Sequence, residues 1–360
     1  MGERIRLMVA DGAARRFALR VQASPDARPF NLIIPENETE AAMLATAPQA
    51  DAILCYQAAL PGSVIRVAGS LKLIQKHGLN CRNIDVAAAT ERNVRVATVP
   101  LMRSVTVAEH ALALMLACAR KVIPGHRAVT QAVYQEMGLE PVVTSQRNYR
   151  VNWPAIEGVT ELFQATVGIV GMGDIGMEIA KRCRAFGMTL CYYQRTPHPN
   201  AIEVSLGIRY LLLDDLLSVS DYVVLVIPHS SESEGLIGAR GLARMKPSAT
   251  LINVGRGGVV DEEALVAALQ SRRLAMAGLD VYRTEPLPAA SPLRRLPNVV
   301  LLPHTGGGSY RSWEVDVPAS LRNIQRFFTG ERCEGIINAQ PDRRALPESI
   351  GNAPAPGAVS

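Results

Sequence analysis

Lysine is scarce in this sequence. Of 38 basic residues, only Lys72, Lys76, Lys121, Lys181 and Lys246 are lysines. The arginines are spread along the chain rather than clustered. That excludes the basic face of a nucleic-acid-binding protein, and biased codon usage explains the preference. Charge is modest as well: 20% of the 360 residues are charged, which excludes disorder of the whole chain. Cysteine is limited to Cys55, Cys81, Cys118, Cys183, Cys191 and Cys333, with no C-x-x-C pair and no histidine cluster beside them. A zinc site, any other metal site and a disulfide framework are therefore not expected, and reduced thiols in the cytoplasm are. The N-terminus lacks the apolar core of a signal peptide, because Arg4, Arg6, Asp11, Arg15 and Arg16 interrupt it. The longest apolar run, residues 111–119, falls far short of the ~20 residues of a membrane span. No membrane partner is expected. The formal net charge of +5 suits a small anionic substrate or a phosphate-bearing cofactor.

The length, with 48% hydrophobic residues, is enough for two domains that each bury a core. Short apolar runs bounded by turn residues alternate with helical patterns, as in buried parallel sheets. In the first half, strands are expected at 30–34, 52–55, 73–75 and 94–97, and a helix at 39–47. A long helix is expected at 105–122, capped by Ser104 and ended by Pro124 and Gly125. Residues 135–158 break the pattern and read as an excursion: a partner contact, a lid or a tolerated loop. A second series follows, with strands at 167–170, 189–193, 222–227, 250–253, 277–280 and 299–302. Helices fall at 175–186, 212–217 and 262–271. An amphipathic helix at 309–328 comes last, and the Pro- and Ala-rich tail, 341–360, is expected to be disordered. The fold class is α/β, with Rossmann-like, doubly wound parallel sheets.

Residues 167–176 read V-G-I-V-G-M-G-D-I-G, a G-x-G-x-x-G match between a strand and a helix. Gly171 permits the tight turn, Gly173 lets the backbone approach a pyrophosphate, and Gly176 lets helix and strand pack closely. The helix N-terminus then favours the phosphate charge. An NAD site usually carries Asp or Glu about 20 residues on, for the ribose hydroxyls. Here Gln194 stands in that place, followed by Arg195 and Thr196. Without the carboxylate a 2′-phosphate meets no repulsion, and Arg195 can pair with it. NADP(H) is favoured over NAD(H); the alternative is a surface Arg195 with Gln194 binding ribose neutrally.

Three more segments sit at the ends of expected strands, where such sheets hold ligands. Residues 253–258 supply Arg256, residues 278–286 supply Asp280 and Glu285, and residues 302–307 supply His304. Reduction of a 2-oxo acid needs a cation for the carboxylate and carbonyl, a proton donor, and a partner for that donor. A guanidinium fork suits the carboxylate. A histidine titrates near neutral pH, and a neighbouring carboxylate favours its protonated form. Each residue alone could be structural.

In order and spacing, these motifs resemble the D-isomer specific 2-hydroxyacid dehydrogenases, from about residue 71 to residue 338. The resemblance implies that Arg256 binds the substrate, that His304 is the acid/base, and that Glu285 pairs with it. It places Asp280 beneath the nicotinamide. The cofactor-binding set it implies is Gly171, Met172, Gly173, Asp174, Ile175, Gly176, Gln194, Arg195, Thr196, Val254, Gly255, Asp280, His304 and Gly306. Gly78, Leu79 and Asn80 match the loop whose N–H groups face the substrate carboxylate, beside Arg256 and His304. Asn80, Cys81 and Arg82 depart from the usual pattern there. Arg82 either meets a second negative group or points outward. The resemblance also implies a discontinuous substrate domain, 1–103 with 309–340, and a cofactor domain, 104–308. A closing cleft lies between them, and a homodimer forms through the cofactor domain, for which the excursion is a candidate contact. The activity implied is reversible NAD(P)H-dependent reduction of a small 2-oxo acid, with hydroxypyruvate and glyoxylate among the candidates. The rival is a cofactor-sensing, corepressor-like interaction protein with little turnover.

Overall fold

The computed structural model describes residues 4–307 and 311–338. The expected disordered tail, 341–360, lies outside them. The chain forms two compact units, one from the chain up to Val99 and from Asp316 onward, the other Pro100–Val315.

The first unit runs β1 (Ile5–Val9), α1 (Arg16–Ala23), β2 (Phe30–Ile33), α2 (Glu40–Thr46), β3 (Ala52–Cys55), α3 (Gly62–Val67), β4 (Leu73–His77), α4 (Val86–Glu91) and β5 (Arg95–Val99). All its strand pairs are parallel, in the order β2-β1-β3-β4-β5. Strands β3 and β4 are buried along their whole length; β3 is accordingly a continuous apolar run rather than an alternation, while β4 ends in the buried polar residues Gln75, Lys76 and His77. Thr39 and Asp85 start α2 and α4 by accepting the N–H groups of Ala42 and Ala88.

In the second unit come α5 (Met102–Ala119), α6 (Val122–Thr130), β6 (Thr166–Val170), α7 (Asp174–Ala185), β7 (Thr189–Tyr193), α8 (Asn200–Leu206), β8 (Ile208–Tyr210), α9 (Leu213–Val219), β9 (Tyr222–Leu225), α10 (Ala239–Arg244), β10 (Thr250–Asn253), α11 (Glu262–Gln270), β11 (Met276–Leu279) and β12 (Val299–Leu301). Helix α12 (Ser312–Thr329) carries the chain back to the first unit. The second sheet is parallel throughout, in the order β12-β11-β10-β9-β6-β7-β8. The order reverses between β6 and β9. All C-terminal strand ends share one edge, and the reversal is where such a sheet opens a crevice for a ligand.

One expected helix is corrected. The long helix begins at Met102 with no side-chain cap, so Ser104 lies inside it. It ends at Ala119 because Lys121 turns left-handed, with φ 51° and ψ 43°. Pro124 and Gly125 do not end it but belong to the separate helix α6. In the first turn of a helix proline gives up an N–H that has no intrahelical partner. Helix α5 is apolar enough, by length and composition, to cross a membrane. Its buried residues, including Ala108, Ala111, Leu114, Met115 and Cys118, instead belong to the core against the second sheet. Between Gln131 and Ala165 no strand or helix forms, as the broken pattern at 135–158 suggested.

Candidate active site

The glycine loop leaves β6 as its spacing requires. Gly171 has φ 104°, and a Cβ there would come 2.5 Å from Ile227 Cγ2. Only glycine takes that turn without strain. A Cβ on Gly176 would sit 2.2 Å from the Gly171 carbonyl oxygen, so helix and turn touch backbone to backbone. Gly173 is different: a Cβ there meets nothing within 4 Å. Gly173 is also the N-cap of α7 and has no side chain to cap it. Open space over uncapped helix N–H groups fits a pyrophosphate. Asp174 and Ile175 form the first turn. The Met172 carbonyl is held from the side by His198 Nε2 at 2.7 Å.

At the end of β7, Gln194 Nε2 donates to the Thr196 carbonyl at 2.6 Å. Arg195 is exposed, and its Nη1 lies 2.5 Å from Glu232 Oε2. No acidic side chain occupies positions 194–196.

Arg256 is set by its neighbours. Buried Asn253 accepts the Gly255 N–H and donates to the Arg256 carbonyl, both at 3.1 Å. Val254 donates its N–H to Leu225 O across the sheet. A Cβ on Gly257 would lie 1.8 Å from the Tyr282 carbonyl carbon, so the Arg256 loop lies directly on the backbone after β11. The guanidinium is exposed and its Nη1 donates to the Gly255 carbonyl at 2.6 Å. Among the described residues it has no carboxylate partner.

From Tyr282 the same backbone runs to Glu285. Its Oε1 accepts the Tyr282 N–H at 3.0 Å, and its Oε2 lies 2.6 Å from His304 Nδ1. Tyr282 donates its hydroxyl to the Leu302 carbonyl at 2.8 Å, tying the end of β11 to that of β12. Burial, followed by the charge of Asp280, pushes this phenol up to about 12. His304 has φ 55°, a left-handed conformation that costs about 1–3 kcal/mol outside glycine. The next two residues offset that cost. Thr305 and Gly306 each donate an N–H to the buried Asp280 carboxylate at 2.9 Å. His110 Nε2, on α5, stands 2.9 Å from Asp280 Oδ1, off the line of a hydrogen bond. His304 and Glu285 line a cavity of about 680 Å³ together with Tyr282, Leu287 and Arg294.

The structure thus links Arg256, Glu285 and His304 through Tyr282, and Asp280 holds the His304 loop. Gly78, Leu79 and Asn80 lie in the first unit, after β4. There His77 Nδ1 bonds Ser320 Oγ of α12 at 2.8 Å, and Gly78 turns with φ 114°. Leu79, Asn80 and Arg82 are exposed.

Residues 112–306 match the family model of the D-isomer specific 2-hydroxyacid dehydrogenase NAD-binding domain. The chain belongs to the D-isomer specific 2-hydroxyacid dehydrogenase family. It is an oxidoreductase that works with a nicotinamide cofactor. Among curated relatives, a glyoxylate/hydroxypyruvate reductase B of Yersinia pestis is 34% identical over 312 residues, covering 86% of this chain and 90% of that one. Among solved structures, an NADPH-dependent glyoxylate/hydroxypyruvate reductase from Sinorhizobium meliloti has a TM-score of 0.63 at 29% identity, covering 93% and 98% of the two chains. A glyoxylate reductase from Paecilomyes thermophila has a TM-score of 0.59 at 26% identity, covering 93% and 99%. The rival reading as a corepressor-like protein gains no support from these relatives.

Three features of this dehydrogenase escaped the sequence. His110 left one usable signal, a polar side chain three residues from Val107 on an apolar helix face. The clasp of Asn253 on the Arg256 loop had no signal beyond its place at a strand end. Glu232 lies far from Arg195 in sequence, and nothing but the fold brings them together.

Proposed function

We propose that the protein reduces a small 2-oxo acid such as glyoxylate or hydroxypyruvate, reversibly, with NADPH preferred to NADH. The 2.6 Å contact between His304 Nδ1 and Glu285 Oε2, at the strand-end edge that also carries the glycine loop and Arg256, is the observation that carries it. The cofactor residues proposed are Gly171 to Gly176 with the N-terminus of α7 for the pyrophosphate, Gln194 to Thr196 for the ribose end, and Val254, Gly255, Asp280, His304 and Gly306 toward the other end. When bound, the dihydronicotinamide supplies the hydride. Arg256 binds the substrate carboxylate and polarises the carbonyl, as a forked cation does. Protonated His304 gives its Nε2 proton to the carbonyl oxygen while its Nδ1–H stays on Glu285. In the reverse direction neutral His304 takes the hydroxyl proton at the same nitrogen. The Gly78–Asn80 loop is proposed as a further group of carboxylate donors.

The NADPH preference rests on the absence of an acidic side chain after β7 and on Arg195 in that place. The S. meliloti relative is NADPH-dependent. A homodimer is proposed through the segment 135–158, where Val143, Tyr149 and Val151 are exposed apolar side chains. Cys55, Cys81, Cys118, Cys183, Cys191 and Cys333, scattered without a C-x-x-C pair, suit a cytoplasmic setting.

The test is loss of reduced-nicotinamide absorbance with NADPH and NADH against glyoxylate, hydroxypyruvate, pyruvate, phenylpyruvate and 2-oxoglutarate. Turnover on glyoxylate or hydroxypyruvate, faster with NADPH, is expected. A folded protein that binds NADPH and turns over none of the five, at rates well below ~1 s⁻¹, contradicts the proposal.

A further inference from the structure

Arg195 and Glu232 come from strands on opposite sides of β6. Arg195 follows β7, and Glu232 lies in the loop that follows β9; both strands pair with β6. Gly171, at the end of β6, is touched from both sides. Its N–H donates to the Tyr193 carbonyl, and Val226 and Ile227 fill the space a Cβ would take. The ion pair therefore spans the strand-end edge beside the glycine loop, where the reversal of strand order opens the crevice.

The loop that carries Glu232 is built, not loose. Ser230 donates its N–H to Ser233 Oγ at 2.8 Å, and Ser233 Oγ donates to the Pro228 carbonyl at 2.9 Å. Gly235 donates its N–H to the Gly258 carbonyl at 2.8 Å, which ties the loop to the segment bearing Arg256. Glu232 stands at the tip of this turn, 70% exposed, with Arg195 68% exposed opposite it. Across the crevice it supplies the carboxylate that the end of β7 lacks.

We propose that Glu232 is a cofactor-selecting residue, which competes with the 2′-phosphate of NADPH for the Arg195 guanidinium. This rests on the reading of Arg195 as the 2′-phosphate ligand. A 2′-phosphate must take Arg195 from Glu232 and also meets the like charge of that carboxylate. NADH carries no such group and leaves the pair in place. Glu232 thus narrows the preference for NADPH that Arg195 creates. The pair is solvent-exposed, so the effect is modest and screened by salt.

The test is titration of NADPH and NADH binding, by fluorescence or calorimetry at low salt, in the wild type, Glu232→Gln, Arg195→Ala and the double variant. Glu232→Gln is expected to tighten NADPH about two- to fivefold and leave NADH within about 1.5-fold. The gain is expected to vanish in the Arg195→Ala background. If Arg195→Ala weakens NADPH selectively but Glu232→Gln changes neither cofactor, both alike, or weakens NADPH, the role of Glu232 is overturned and the Arg195 reading stands. If Arg195→Ala weakens both cofactors equally, the Arg195 reading falls and the role of Glu232 with it.

Discussion

His304 Nδ1 lies 2.6 Å from Glu285 Oε2, and the other oxygen of that carboxylate is held by the Tyr282 N–H at 3.0 Å. The second contact stops the carboxylate from swinging away from the imidazole. With Nδ1–H committed to Glu285, Nε2 is the nitrogen that the proposed mechanism uses to exchange a proton with substrate. The Tyr282 backbone that holds Glu285 is the one on which Gly257 lies, so one short segment positions both the carboxylate beside His304 and the Arg256 loop.

His304→Ala is expected to lower kcat for 2-oxo acid reduction by about 10²- to 10⁴-fold, the usual contribution of a positioned acid. Glu285→Gln keeps the shape and loses the charge, and its loss is expected to be smaller. Cofactor Kd and the circular dichroism spectrum check that both variants are folded. Full activity in His304→Ala would remove the residue from the reaction.

Asp280→Asn tests the anchor of the His304 loop. One carboxylate oxygen becomes an NH2 group facing the N–H of Thr305 or Gly306, a buried donor without an acceptor. Stability is expected to fall by about 1–3 kcal/mol in urea unfolding, and kcat to fall because His304 loses the restraint on its left-handed backbone. An unchanged midpoint together with unchanged kcat would show that the two N–H groups do not need the charge.

Gly257→Ala places a methyl group 1.8 Å from the Tyr282 carbonyl carbon, against backbone that cannot rotate aside. A stability loss of about 1–3 kcal/mol or more is expected. KM for the 2-oxo acid is expected to rise as Arg256 shifts. Gly173→Ala is the contrasting variant: its methyl meets open space, so Tm is expected to hold while cofactor Kd weakens. Thermal melts and cofactor titration of the two variants separate packing from ligand approach.

In the first unit, Arg6 forks onto Asp51, Nε to Oδ2 at 3.0 Å and Nη2 to Oδ1 at 2.6 Å. This hydrogen bonding holds the Asp51 carboxyl below its ordinary value. A carboxyl lowered by folding stabilises the protein above its unfolded pKa, about 3.9, and the effect fades as pH falls through the folded value. The gap in Tm between wild type and Asp51→Asn is therefore expected to be widest above about pH 5 and to close in acid. A gap that grows in acid would contradict the assignment.

The second sheet was legible almost strand by strand, because buried parallel strands are short apolar runs that glycine and polar turns delimit. The glycine loop was legible from its spacing between a strand and a helix, whereas the roles expected for Arg256, Glu285 and His304 came from the family resemblance, since each residue alone admits a structural reading. Strands β1 and β8 and helices α1, α3, α4, α6, α8 and α10 passed unnoticed, since Arg6 lies inside β1, Arg209 inside β8, and the helices are short. The end of α5 was misplaced because proline and glycine usually stop a helix, whereas here Lys121 does so with a left-handed turn. Contacts such as Asp280 with Thr305, His110 with Asp280, and Arg195 with Glu232 join residues far apart in the chain, and only tertiary structure brings them together.

The most direct test of His304 as acid/base is the pH dependence of the reaction in both directions, under conditions where chemistry limits the rate. With NADPH and glyoxylate or hydroxypyruvate, reduction is expected to fall as pH rises, because it consumes a proton that His304 must carry. Oxidation of the matching 2-hydroxy acid is expected to rise over the same range, and His304→Ala to lose both limbs. Parallel profiles in the two directions, or a limb that persists without His304, would contradict the assignment.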